Sequence, residues 1–149
     1  MAITVFDIAE YILNRMGPMS AMKLQKLTYY AQAWSLVWDD APLFDNRIEA
    51  WANGPVARDL YNAHRGRFTV SAGDFATFAN ESLTDTQQET INAVLEAYGR
   101  RSAQWLSDQT HAEAPWRMAR DGMDDGDRGE REITLESMAE YYSALQTNG

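Results

Sequence analysis

The side chains best suited to chemistry in this chain are two histidines, His64 and His111, and a large set of carboxylates. An imidazole titrates near neutrality and can act as base, acid or metal ligand. His111-Ala112-Glu113 has the H-x-E form of the zinc deaminases, in which the histidine holds the metal and the glutamate moves protons. That chemistry also needs cysteine ligands, and the chain contains no cysteine, so the match is accidental. His111, beside Pro115-Trp116, is left either as the general base of a small hydrolase or, more commonly, as a hydrogen-bonded structural residue. The acidic stretch 121–132 offers oxygen instead. Asp121, Asp125, Gly126 and Glu132 fall at positions 1, 5, 6 and 12 of an EF-hand loop. Met123 stands at position 3 without a useful oxygen, and Arg128 at position 8 adds positive charge, so a solvated loop is expected. No glycine-rich phosphate loop and no G-x-S-x-G elbow occurs. The residues predict no catalytic centre, no metal and no cofactor.

Binding is a different matter. Trp34, Trp38, Trp51, Trp105 and Trp116 make the chain rich in tryptophan, the usual anchor of protein interfaces. At helical spacing most of them should be core. The net charge is −9 and is unevenly placed. Residues 1–70 carry seven basic and seven acidic side chains, whereas residues 71–149 carry six and fifteen. Such a field repels phosphate backbones and favours a basic protein partner, so no nucleic acid is expected to bind. No apolar run reaches the roughly 18 residues of a spanning helix, and MAITVFDIAE lacks the basic start of a signal peptide. With no disulfides, a cytoplasmic protein without a membrane partner is the expectation.

These side chains must be held by helices. Ser20 to Trp38 places Leu24, Leu27, Ala31, Trp34 and Trp38 on one face of a helix, widened by Tyr30 and Val37. Lys23, Gln25 and Lys26 fall on the other side, where water is expected to meet them. Ser20 is its N-cap. Before it, Thr4 and Asp7 open a helix that Gly17-Pro18 ends. Leu43-Phe44 is an apolar plug, and Ile48 to Trp51 is ambiguous between helix and strand. Asn53-Gly54-Pro55 is a turn whose proline is expected to open a helix over Val56 to His64. Phe68-Thr69-Val70 is β-prone and short, and Gly73 to Asn80 reads as a short helix. Thr84 with Gln87, Ser102, Pro115 and Thr134 mark four more helix starts. The expectation is a mainly α fold: one multi-helix domain over residues 1–149 around a central buried helix, with at most a minor short β element.

MKLQKLTYYAQAW at 22–34, PLFDNRIEAWANGPVARDLY at 42–61 and THAEAPWRMA at 110–119 together resemble the Panacea domain, the SocA-like antitoxin domain. The order and spacing continue to the final helix, so the resemblance covers essentially the whole chain. Lys23, Leu24, Lys26 and Leu27 match the first motif; Glu49, Trp51, Gly54, Pro55 and Val56 the second; His111, Pro115 and Trp116 the third. Asn53 departs from the pattern, because related sequences often carry tyrosine there, and it marks a position for partner tuning. The resemblance implies a helical, non-enzymatic antitoxin of a type II toxin–antitoxin pair, of the kind found in bacteria and their phages. Such proteins neutralise a cognate protein toxin by direct binding.

Candidate partner-binding residues are therefore Lys23, Lys26, Trp51, Asn53, Gly54, Pro55, His111 and Trp116. One branch of the family instead delivers its toxin to a ClpXP-type protease, which would make the chain an adaptor. A phage-encoded protein that binds a different host factor, and the small hydrolase built on His111, are the rival functions.

Overall fold

The computed structural model describes residues 2–148; Met1 and Gly149, the ends of the expected 1–149 domain, lie outside the described residues. In chain order the elements are α1 (Val5–Met16), β1 (Met19–Ser20), α2 (Ala21–Trp38), β2 (Ile48–Trp51), β3 (Gly54–Ala57), α3 (Arg58–His64), β4 (Thr69–Val70), α4 (Asp85–Tyr98), α5 (Ala103–His111), α6 (Ala114–Ala119) and α7 (Leu135–Asn148). The fold is mainly helical, with two small antiparallel pairs, β1 with β4 and β2 with β3. No helix among the described residues is long and apolar enough to cross a membrane.

Local chemistry sets the helix boundaries. The Asp7 carboxylate accepts from the Thr4 backbone N–H at 2.8 Å, and the Ser20 hydroxyl accepts from Lys23 N–H at 3.1 Å. Thr84 and Gln87 exchange the two bonds of a capping box, and Ser102 accepts from Trp105 N–H. Every one of these bonds satisfies a donor that a helix start would otherwise leave open.

The central helix α2 packs against α1, α3, α4, α5, α7 and β3, so it is enclosed from nearly every side. Leu24, Leu27, Tyr30 and Ala31 are fully buried. The expected stripe errs at one end, for Trp38 is 44% exposed, stacked on Trp34 at 5.0 Å. It errs more deeply on the far side. Gln25 and Lys26, assigned to water, are each only 1% exposed.

The reason is that α2 uses its polar side chains to complete other backbones. Gln32 accepts from Leu43 N–H at 2.7 Å and donates to the Phe44 carbonyl at 2.7 Å, fixing the plug. Gln25 treats Ala57 the same way, accepting from its N–H at 2.8 Å and donating to its carbonyl at 3.3 Å. Each glutamine stands in for a neighbouring strand, so buried backbone groups stay paired.

Two further expectations fail for related reasons. Pro55 does not open a helix. It lies in β3 opposite Ala50, and α3 begins only at Arg58, because the bonds from Gln25 hold Ala57 extended. Residues 73–80 form turns rather than a helix. Side chains of α1 take the N–H groups at both ends, with Glu10 accepting from Gly73 and Phe75 and Asp7 from Asn80 and the next residue, Glu81, while Asp74, Ala76, Phe78 and Ala79 bond within the turns.

The 121–130 loop closes on a cation of its own. Arg120 is buried, and its guanidinium donates to the carbonyls of Ala50, Asp124, Asp125 and Asp127 at 2.6 to 3.2 Å. A guanidinium thus gathers the loop's oxygens, and no group of three or more His, Asp or Glu among the described residues is placed to hold a metal. Arg120→Met should cost on the order of 3 kcal/mol, because it strips the donors from several carbonyls at once. Hydrogen exchange should rise first in 121–128. Loop exchange unchanged from wild type would contradict this assignment.

Candidate functional site

The three stretches that carry the resemblance converge on one hairpin. β2 and β3 pair from Ile48↔Ala57 to Trp51↔Gly54, leaving Ala52-Asn53 as a two-residue tip. Gln25 of α2 holds its β3 edge. From the C-terminal half, Ser107 donates to the Asn53 carbonyl at 2.7 Å, and Trp116 Nε1 donates to the Trp51 carbonyl at 2.8 Å. On the outer side Ala50 N–H bonds to Arg131 O, and Ile133 N–H to Ile48 O, both at 2.8 Å. Residues far apart in sequence therefore serve one backbone ribbon.

Under the hairpin lies an unusual group. The Lys26 ammonium nitrogen is buried with no hydrogen-bond partner among the described residues, and burial holds the amine down at about 7. Gly54 presses on it from above with φ +124°. A methyl there would stand 2.5 Å from Lys26 Cε, 3.1 Å from Thr110 Oγ1 and 3.3 Å from Lys26 Nζ. Only glycine fits this position, both for space and for backbone angle.

His64 is buried beside the amine and is held below the ordinary histidine value by burial and by Lys26. Its Nε2 lies 3.0 Å from the Gln25 amide nitrogen, so that nitrogen accepts and the ring is neutral. His111 is likewise lowered by burial and by Lys26, against the Ala52 backbone, Asp108 and Asp125, which raise it.

His111 packs at a tilt on Trp116 with ring centroids 4.2 Å apart, and both border a cavity of about 470 Å³ with Arg117, Arg120 and Asp121. Its Nε2 is buried without a partner among the described residues, and no carboxylate among them orients that nitrogen for proton transfer. The buried acid lies elsewhere. Glu113 accepts from Tyr30 at 2.8 Å, Tyr142 at 2.7 Å and Gln109 at 3.1 Å. Burial raises Glu113, and these three donors pull it back. Its surroundings tie α2, α6 and α7 together.

The second cavity is an open groove of about 420 Å³ between the hairpin tip, α3 and the 126–130 loop. Trp51 and Asn53 line it, joined by Arg58, Tyr61, Arg65 and Arg128. Glu49, behind the lining, fixes two of these side chains, taking Trp51 Nε1 at 2.8 Å and Arg58 at 3.2 Å, with Arg47 at 2.9 Å. Burial would raise this carboxylate, but these bonds outweigh it and hold it below the usual range.

Seven of the eight candidate residues thus gather at the hairpin, in three positions. Trp51 and Asn53 reach the groove, Lys26, Gly54 and Pro55 lie buried, and His111 and Trp116 form the wall of the other cavity. Lys23 is half-buried on the first turn of α2 and lines neither cavity. Sequence reasoning missed Arg58 and Tyr61 on α3 and Arg65 just past its end, although their spacing of three and four was a usable signal. It also missed Arg128, which has no such signal.

Residues 24–117, well over half the chain, match the family described as antitoxin SocA-like, Panacea domain, and the chain belongs to that family. No curated protein and no solved structure matches it. Membership in an antitoxin family points to an antitoxin-like role, to a protein as the kind of partner, and to a role other than catalysis.

Proposed function

We propose that this chain is the antitoxin of a type II toxin–antitoxin system, and that it silences a cognate protein toxin by direct binding in the cytoplasm. The whole of residues 1–149 would act as one unit. Family membership over 24–117 carries the reading. The arrangement around the hairpin supports it. A ribbon fixed by bonds from α2, α5, α6 and Arg120 is preorganised, and preorganisation lowers the entropy a tight complex must overcome. Nanomolar binding corresponds to about −12 kcal/mol, most of which a few anchored aromatics and arginines can supply.

Among the candidate residues, Trp51 and Asn53 are the direct contacts in this proposal. Gly54 and Pro55 are part of the ribbon, Trp116 bonds to it, Lys26 packs beneath it, and His111 packs on Trp116 as a wall rather than a base.

Co-expression with the adjacent reading frame tests this. The toxic product should arrest growth alone, growth should return with this chain present, and the two proteins should co-purify. His111→Ala should retain rescue. If rescue needs an intact ClpXP-type protease, the adaptor function replaces neutralisation. If the neighbour is harmless and a host protein co-purifies instead, the host-factor function replaces both.

A further inference from the structure

Resting on the reading that this chain grips another protein, we infer that the groove beside the hairpin receives an acidic segment of that partner, its Asp or Glu carboxylates seated between Arg65 and Arg128. Three guanidiniums border this one groove in a chain whose net charge is −9. Arg58 is already engaged, with Glu49 at 3.2 Å and Glu130 at 3.4 Å, and lies over the Trp51 ring at 5.6 Å. Arg65 and Arg128 are different. Both are exposed, they come from separate elements, and neither makes a hydrogen bond or ion pair among the described residues.

A lone surface arginine is ordinary. Two unpaired ones bordering the same concavity concentrate positive potential there, in a chain whose net charge is −9. Their planar forks suit a carboxylate, which can take two parallel N–H bonds from either. Trp51 and Tyr61, edge to face at 4.6 Å, add an apolar wall for the carbon stem of the same segment.

The groove's size and neighbours decide between a short protein segment and a polyanion. About 420 Å³ holds a few side chains. Glu130 also lines the groove, and Asp124, Asp125 and Asp127 stand in the same loop, so any polyanion running beyond the groove, nucleic acid or long acidic chain, would be repelled and only a short acidic segment suits it. The basic toxin favoured by the overall charge can still carry one acidic segment. Long-range charge then governs encounter, and the groove governs register.

The test has two arms, each using the full chain. In the first, Arg65→Glu with Arg128→Glu is compared with wild type for rescue from the toxic neighbour, and Arg100→Glu serves as the surface control. The double variant should fold as wild type does and bind the toxin at least about tenfold more weakly, while the control binds normally. Full neutralisation by the double variant overturns the groove and leaves the antitoxin reading standing.

In the second arm, a labelled hexaglutamate peptide, inorganic phosphate and a short single-stranded DNA are each titrated into isotope-labelled protein. The peptide should shift the Arg65, Arg128 and Trp51 signals, and salt should reverse it. Shifts by phosphate or DNA without the peptide overturn the proposal. This arm also decides the groove if wild type fails to neutralise its neighbour, a failure that would fall on the antitoxin reading alone.

Discussion

Replacing Lys26 by methionine is expected to stabilise the protein and to flatten its response to alkaline pH. Burial holds the folded amine at about 7, whereas an unfolded lysine titrates near 10.4. Between those values the unfolded chain binds a proton that the folded chain does not, so stability rises with pH, at about 1.4 kcal/mol per unit. Below about 7 both states hold the proton and the whole penalty, on the order of 5 kcal/mol, is present.

His64 and His111, both lowered, extend the same trend to acid, because unfolding lets them take up protons as pH falls through the ordinary histidine value. Glu113, raised, works the other way. Its folded form keeps a proton that the unfolded carboxyl loses, so it lowers stability as pH climbs above the ordinary carboxylate range.

Methionine matches the length of lysine and carries no amine to bury without a partner. Urea denaturation between about pH 7 and 9.5 reads the effect directly. Wild type should gain stability across that range, and Lys26→Met should start several kcal/mol higher at neutrality and stay level. A variant that is less stable, with the wild-type slope intact, would show that the amine is satisfied in solution. The same protein separates framing from contact, because Lys26→Met should still bind the toxin.

Gly54→Ala is expected to produce the largest loss. Its φ of +124° strains any L side chain, and the added methyl would stand 2.5 Å from Lys26 Cε. The lysine tip is flexible in principle but enclosed here, so it cannot swing clear. Backbone strain alone costs on the order of 1–3 kcal/mol, and the clash should bring the total above about 3 kcal/mol.

A double-mutant cycle divides the two parts. In a Lys26→Ala background the clash with the lysine disappears, leaving the backbone cost and the 3.1 Å approach to Thr110 Oγ1, so the alanine should cost about 1–2 kcal/mol less there. Equal cost in both backgrounds would mean that the hairpin and the lysine do not press on one another.

The parts of this fold that sequence reveals are the locally determined ones. Thr4 with Asp7, Ser20, Thr84 with Gln87, and Ser102 are helix starts because each side chain reaches a backbone group a few residues away. What pattern reading lacks is distance. Gln25 and Lys26 have the residue types of a wet face, and periodicity assigns them to water. Only the return of the chain at 43–44 and 54–57 shows that two glutamines serve as substitute strand edges and that the lysine is covered by Gly54.

Pro55 misleads for a similar reason. Gly-Pro ahead of apolar residues looks like a helix start, yet the bonds from Gln25 keep the next residues extended. The candidate site was legible through its motifs, since stretches 22–34, 42–61 and 110–119 all meet at the hairpin. The groove was less so, because Arg65 and Arg128 are separated by most of the C-terminal half and nothing in either neighbourhood announces the other.

Occlusion and catalysis differ in stoichiometry, and that supplies the most direct measurement. The purified product of the adjacent reading frame, the toxin of the proposed pair, is titrated with this chain in a reaction free of protease, and its residual activity is followed. Silencing by binding predicts a linear fall to a sharp end point at a fixed molar ratio, with activity recovered when the complex is dissociated. Complete and lasting inactivation by a small fraction of an equivalent would contradict the account, as would toxin that stays active in excess antitoxin.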